Sequence, residues 1–342
     1  MKLFVTGAAG YIGSTFTYEA LKKGYKIIGC DNFSNSSNFF IKRIKKFSPD
    51  NFFFYDIDLR HGTKIDEILK FHEVDAVVHF AALKSVPNSE KFPDLYIENN
   101  VHGMKNLLDA CTNHNITKFL FSSSASVYGN PINQPIKEEE LPKPISVYGE
   151  TKLECEQMLQ SWSKEKRKGI SLRYFNPIGS HKDKVCFEDI ITSKGNLMPA
   201  ILLTAFRKQD HLKIFGSNYE TEDGTGERDY IHISDLVEGH FSALNYFNNL
   251  NEYDVFNLGL GESVSVLELV KIFQNVNKIN IPTKFFDRRE GDLDICYADP
   301  SKSNKLLLWR AKKGYSEMCL DAYNGTLNNY ELLQNFISKI KC

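Results

Sequence analysis

Short runs of apolar residues recur through the first half of the chain: KLFVT (2–6), KIIGC (26–30), NFFFYDID (51–58), VDAVVHFAA (74–82), KFLFSSS (118–124) and ISLRYFN (170–176). They are too apolar throughout to keep a wet face, so each predicts a strand of a parallel sheet covered on both sides. Between them lie stretches with helical spacing, near 11–23, 62–71, 93–113 and 148–168. Strand and helix in alternation specify a doubly wound, Rossmann-type α/β sheet.

After residue 177 the rhythm changes. The stretch 178–232 is rich in polar residues, glycine and short aromatic segments, and it predicts long loops. YDVFNLGL (253–260) resumes a strand, and SVSVLELVKIF (263–273) carries Ser265 and Glu268 at capping-box spacing. ADPSKSNKLL (298–307) offers Asp299 as an N-cap with Pro300 at the first helical position. The expected organisation is a large lobe over 1–177, to which the chain returns around 232–260, and a smaller mixed α/β lobe drawn discontinuously from 178–342.

Composition narrows the function classes. The 342 residues carry a formal net charge of -1, so no global field recruits nucleic acid or an anionic membrane. The basic runs KRIKK (42–46) and KEKRKG (164–169) read as solvated helix faces or helix ends. Seven cysteines without a C-x-x-C pair argue against a disulfide framework and a zinc site and fit a reducing compartment. The opening MKLFVTGAAG is too short in apolar residues for a secretory leader, nothing downstream approaches a membrane span, and a cytoplasmic location is expected. His79 and His232 read as structural residues, and no metal is expected.

Two motifs carry chemistry. In VTGAAGYIGS (5–14), Gly7, Gly10 and Gly13 follow the first strand and open the first helix. Missing side chains let backbone N–H groups approach a pyrophosphate at a helix N-terminus. Asp31, about 20 residues beyond, closes the second strand, where a carboxylate accepts from an adenosine ribose and repels a 2′-phosphate, favouring NAD over NADP. The second motif is SVYGETK (146–152), which sets Tyr148 and Lys152 one helical turn apart. A neighbouring ammonium lowers a phenol's pKa, making Tyr148 a base for hydride chemistry. Ser124 ends a strand at the carboxyl edge of the sheet, where ligands bind in such folds.

The set VTGAAGYIGS, DNFSNSS, HFAALKSV, FSSSASVYG, SVYGETK, RYFNPIG, NLMP, TEDGTGERDYIH and RREGDLD resembles the UDP-galactose (UDP-glucose) 4-epimerases among the extended short-chain dehydrogenase/reductases, across nearly the whole chain. The resemblance implies a hidden redox cycle with tightly bound NAD: a tyrosinate takes the proton of the hexose 4-hydroxyl, hydride leaves carbon 4, the 4-keto sugar turns over, and hydride returns to its other face. It gives Tyr148 the base and acid role, Lys152 the tuning of Tyr148 and a ribose contact, and Ser124 the partner of the oxygen at carbon 4. By position, the cofactor meets Gly7, Gly10, Tyr11, Ile12, Gly13, Asp31, Asn32, Asn35, Ser36, Asp58 and Leu59. Toward the nicotinamide it meets Phe80, Ala81, Lys84, Asn99 and Phe175. The UDP-sugar meets Lys84, Asn176, Asn196, Leu197, Phe215, Arg228, Arg289 and Asp292, the arginines as forks matched to diphosphate oxygens.

Three positions depart from the family pattern. Ala82 stands where glycine is frequent, the loop 180–196 shares little wording, and Cys296 stands four residues after Asp292, a position that the resemblance implies lines the hexose pocket. A small residue there leaves room for an N-acetyl group, so UDP-GlcNAc and UDP-GalNAc are expected substrates beside UDP-glucose and UDP-galactose. The resemblance also implies a homodimer through helices 93–113 and 148–168, consistent with Leu153, Met158, Leu159 and Trp162 on the second. Two alternatives stand: an epimerase acting on UDP-glucuronate, and a non-catalytic NAD-binding regulator. A 4,6-dehydratase needs an acidic pair after the catalytic hydroxyl, where this chain has Ala125 and Ser126.

Overall fold

Seven strands join in one parallel sheet: β1 (Lys2–Thr6), β2 (Lys26–Asp31), β3 (Phe52–Asp56), β4 (Ala76–His79), β5 (Lys118–Ser124), β6 (Lys168–Tyr174) and β7 (Tyr253–Leu258). Their order is β7-β6-β5-β4-β1-β2-β3. The structure, a computed structural model, describes residues 1–190, 195–289 and 291–330. Positions 191–194 of the 180–196 loop, Glu290 and 331–342 therefore lie outside the described residues.

Alternation across the pleat splits each central strand between two cores. Leu3, Val5, Ile27, Val78 and Leu120 pack on one face, against Phe16 of helix α1 (Tyr11–Lys22) and Phe241. Phe4, Ile28, Val77, Phe119 and Phe121 pack on the other, against Leu107, Cys155, Leu159 and Trp162. Each buried side chain of this size contributes about 1.5–3 kcal/mol, which explains why the strands could not spare a polar face. The two edge strands depart from this: Phe53 of β3 is exposed, and Tyr253, Asp254 and Val255 of β7 are half-buried. β7 pairs with β6 from Tyr253↔Gly169 to Leu258↔Tyr174.

The helices between the strands include α2 (Phe39–Phe47), α3 (Gly62–Phe71), α4 (Gly103–Asn113), α5 (Val147–Trp162) and α6 (Ile233–Tyr246). KRIKK lies within α2, with Lys45 and Lys46 in its last turn. KEKRKG is not helical: α5 stops at Trp162, Glu165 adopts a φ of 61°, and the segment turns into β6. The expected helix 93–113 is interrupted, running as Pro93–Tyr96, a π-helical stretch Ile97–His102, and then α4. Asn100 in the wide turn is buried, exchanging hydrogen bonds with Leu83 (2.8 and 3.0 Å) and donating to Thr151 (3.1 Å), while Asn99 faces the neighbouring cleft. Such bulges gather at functional sites.

The stretch 178–232 holds regular elements where loops were expected. Leu197–Ala205 is a helix, Leu212–Phe215 pairs with Thr283–Phe286, and Glu227–Arg228 is flanked by Val264–Ser265 and Ile295–Cys296. Strands of two to four residues are too short to show a period, so their pairing is tertiary. Ser265 caps its helix by accepting from Glu268 N at 3.0 Å. Asp299 accepts from Ser301 N at 2.9 Å, but the helix begins at Ser301, one residue beyond the expected start.

Candidate active site

A cleft of about 1810 Å³ runs along the carboxyl ends of the strands, where the strand order reverses between β1 and β4. At one end lies the glycine loop. Gly7 has φ 68°, and a Cβ there would stand 2.6 Å from Ala81 N; a Cβ on Gly13 would stand 2.1 Å from Gly7 O. Both glycines are therefore required by the fold itself. Gly10 differs: its Cβ would meet only Gly7 O at 3.4 Å, an ordinary contact, so the chain leaves free the space that Gly10 gives to the cleft at the N-cap of α1. Tyr11 lines the cleft with its phenol held by Gly179 O at 2.6 Å.

Asp31 is buried and accepts from Ala9 N (3.0 Å), Phe33 N (2.9 Å) and Ser36 Oγ (2.8 Å). Burial raises its pKa against these three bonds. The carboxylate thus ties the glycine loop to the DNFSNSS turn, and the neutral side chains of Asn32, Asn35 and Ser36 complete the rim around it. Asp58 does not line the cleft; it accepts from Asn32 Nδ2 at 2.9 Å and is held far below the usual carboxylate range by Arg60.

At mid-cleft stand Leu59, Phe80, Ala81, Lys84, Asn99, Ser124 and Phe175, with Lys84 exposed to the opening. Ser146 caps α5, accepting from Gly149 N at 3.1 Å, and so sets the rotation at which Tyr148 and Lys152 enter. Ser124 lines the cleft, its hydroxyl donating to Ser126 Oγ at 3.1 Å; Tyr148 stands behind it and, like Lys152, is not itself a lining residue. Lys152 is buried with its Nζ 5.9 Å from the Tyr148 ring centre. The electrostatics correct the sequence expectation. The Lys152 ammonium donates to Ser122 O at 2.7 Å rather than to the phenol, and burial pushes the Tyr148 pKa up to about 12, with Ser124 pulling it down. Burial also pushes Lys152 down to about 8.

The far end gathers Asn176, Asn196, Arg228, Arg289, Asp292 and Cys296. Strand register sets Cys296 beside Arg228. The Arg289 guanidinium lies 4.0 Å over Phe215, and Arg228 is 3.7 Å from Asp292. Asn196 Nδ2 donates to Glu188 at 2.9 Å, whereas Leu197 and Phe215 do not line the cleft. The departing Ala82 is a lining residue whose carbonyl accepts from Asn35 at 3.4 Å.

Sequence reasoning missed Asp229. Its carboxylate is fully buried and accepts from Leu260 N, Gly261 N and Ala298 N at 2.8–3.2 Å, while its backbone holds Asn176 and Cys296. Desolvation pushes it to about 7. A carboxylate inside the apolar run RDYIHI was the available signal. His79 and His232 are structural as expected: His79 Nδ1 meets Thr6 Oγ1 at 2.6 Å, and His232 Nε2 meets Asp321 at 3.1 Å. Among the described residues one potential metal-ligand group occurs, Glu19, His181 and Asp183, and Lys22 already donates to both carboxylates, at 3.0 and 2.8 Å.

Comparison with known proteins agrees with this geometry. Residues 3–259 match the model of the NAD dependent epimerase/dehydratase family. A UDP-glucose 4-epimerase of Bacillus subtilis is 42% identical over 336 residues, covering 96% of this chain and 98% of that protein. A UDP-glucose 4-epimerase from Stenotrophomonas maltophila, crystallised with NAD and formylated UDP-arabinopyranose, superposes with a TM-score of 0.93 at 35% identity, covering 97% of this chain and 99% of the other. One from Bifidobacterium longum, in complex with NAD+ and UDP, gives 0.91 at 36% identity over 96% and 99%.

Proposed function

We infer the chemistry from one premise: the chain belongs to the NAD dependent epimerase/dehydratase family. It is an enzyme that uses NAD and interconverts UDP-galactose and UDP-glucose. The observation that carries this reading is one cleft with a glycine loop at one end, two arginines at the other, and Ser124, with Tyr148 beside it, between them. NAD, when bound, accepts and returns the hydride of carbon 4 and brings a positive ring charge to the cleft. The residues fit it: Gly10 leaves space unneeded by the fold, and the Asp31 rim carries no cation against which a 2′-phosphate could pair.

The chain's own groups divide the remaining work. Tyr148 takes and returns the proton of the hexose 4-hydroxyl, and Ser124 holds the oxygen it leaves. Lys152, below its pKa of about 8, is positively charged and held by Ser122 O, with its Nζ 5.9 Å from the Tyr148 ring centre. Arg228 and Arg289 take the diphosphate, while Asn176 and Asn196 orient the uridine and sugar. We assign cofactor binding to 1–177 with the returning β7, and sugar binding to the remainder.

Cys296 is half-buried at the cleft wall, and burial pushes its thiol to about 11, so it remains small and neutral. That supports acceptance of UDP-GalNAc and UDP-GlcNAc.

For the homodimer the support moves. Leu159 and Trp162 are spent on the chain's own core, but Val86, Phe92, Leu95 and Ile97, on the segment packed against α5, are exposed. No helix among the described residues is long and apolar enough to cross a membrane, and the six described cysteines are free, which favours a reducing, cytoplasmic setting.

Incubation with UDP-galactose and no added NAD tests the reading. UDP-glucose is the expected product, and absence of conversion even after adding NAD overturns it.

A further inference from the structure

Three residues at four-residue spacing on α5 meet three consecutive residues of β5. Tyr148 stands beside Ser124, Lys152 Nζ donates to Ser122 O at 2.7 Å, and Glu156 Oε1 accepts from Ser123 Oγ at 2.5 Å. The first two rungs belong to the chemistry described above; the third has no assigned role. It is buried, with Glu156 at 3% exposure and Arg173 at 4%. Arg173 lies on β6 directly opposite Ser123 in register, and donates to Glu156 through Nε (2.9 and 3.2 Å) and a terminal nitrogen (2.6 Å). Its guanidinium lies 4.8 Å over the Tyr128 ring, and Tyr128 is itself fixed to Asn257 of β7 at 2.7 Å. One carboxylate on α5 is thus bound to two adjacent strands and linked to the third through Arg173 and Tyr128.

Stability alone does not explain such a group. A buried ion pair roughly breaks even against well-packed apolar residues of the same volume. Around it, Cys155, Leu159 and Trp162 already supply apolar packing for α5. Apolar packing tolerates a small rotation or slide of a helix, because burial is non-directional. A bidentate carboxylate–guanidinium pair does not, because both bonds lose geometry at once. The directional element sits one turn beyond Lys152 and two beyond Tyr148, where it controls how that face meets β5.

We propose that Glu156, braced by Arg173 and Ser123, is a positioning residue for the epimerisation: it fixes the rotation and register of α5 so that Tyr148 and Lys152 reach the carboxyl end of β5 in working geometry. The proposal rests on the reading of Tyr148 as the base. Glu156 also favours the charged form of Lys152, which faces Tyr148, Cys155 and Glu156 from its own helix and His79 from β4.

The test uses the full chain with its retained cofactor. Glu156→Gln keeps the shape and removes the charge; kcat for UDP-galactose is expected to fall about 10–100-fold with KM within about threefold, since displacement of about 1 Å costs that much. Ser123→Ala keeps the ion pair and removes only the strand anchor, with an expected loss of about threefold to tenfold in kcat. The double change Glu156→Gln with Arg173→Gln, which leaves no buried charge unpaired, is expected to regain folding stability without regaining kcat. Were the role structural, stability and kcat would return together, and that result overturns the proposal. So does a kcat within twofold of the parent in the folded Glu156→Gln chain, or in Ser123→Ala if Glu156→Gln does not fold. Failure of the functional reading is separable: if the parent converts no UDP-hexose, amide hydrogen exchange across 147–156 judges the brace, with faster exchange in Ser123→Ala supporting it and unchanged exchange overturning it.

Discussion

Asp31 and Asp292 are both carboxylates on the wall of one cleft, and they are held in opposite ways. Asp31 is 8% exposed, and its bonds to Ala9, Phe33 and Ser36 come from its own fold. The Asp292 side chain is 37% exposed, 3.7 Å from Arg228 and 3.3 Å from the Tyr219 hydroxyl. The first is a finished joint between a glycine loop and a turn on a seven-stranded sheet. The second is a loose ion pair between a turn and the two-residue strand Glu227–Arg228, of a kind worth roughly 0–1 kcal/mol. Such a pair gives up its arginine to a diphosphate at little cost. The difference suits a cofactor that stays through many cycles and a substrate that must leave after each.

Removing the chemistry without touching either grip sharpens this contrast most. Tyr148→Phe is expected to lower kcat about 10³-fold, the contribution of a positioned base, while bound NAD per chain and UDP affinity stay at parent values. Loss of NAD in that variant would show that the two functions are not separate. Asp31→Ala strikes the finished joint: it orphans two backbone N–H groups and a hydroxyl, so about 3 kcal/mol of stability should disappear in a urea titration, with most of the bound NAD. Arg289→Ala strikes the loose end. KM for UDP-galactose should rise about tenfold, the loss of one charge-assisted bond, with bound NAD unchanged and kcat within about twofold. A collapse of stability there would contradict the description of Arg289 as held by little more than the Phe215 ring.

The same contrast explains what the sequence made legible. Strands such as Lys2–Thr6 and Lys118–Ser124 could be read to the residue because burial on both faces leaves one composition to choose from. Gly7, Gly10 and Gly13 were legible because a fixed spacing serves a fixed backbone turn. The pairs Glu227–Arg228 with Val264–Ser265 and Ile295–Cys296 were not, since their partners lie tens of residues apart and two residues carry no period. Nor was the π-helical turn at Ile97–His102, which follows from where Asn100 finds Leu83 and Thr151. The direction of the Tyr148 shift was missed for a related reason. Spacing shows that Lys152 is near, but only the folded chain shows that Ser122 takes its proton donor and that burial wins.

The smallest expected effect bears on the sugar end. Cys296 stands in register with Arg228, lines the cleft, and touches the small cluster that includes Phe175 and Ala298. Cys296→Tyr adds a ring to that wall without adding charge. Hexose turnover should change by no more than about threefold, because the ring enters space that a hydroxyl at carbon 2 does not use, whereas UDP-GalNAc turnover should fall about tenfold, the discrimination available from steric fit alone. Parallel assays with both sugars check it. Equal losses on the two would place the residue in general packing rather than in selection. An unchanged ratio with full activity would mean that the N-acetyl group lies elsewhere in the cleft, and would leave the looseness of this end to the arginines and Asp292.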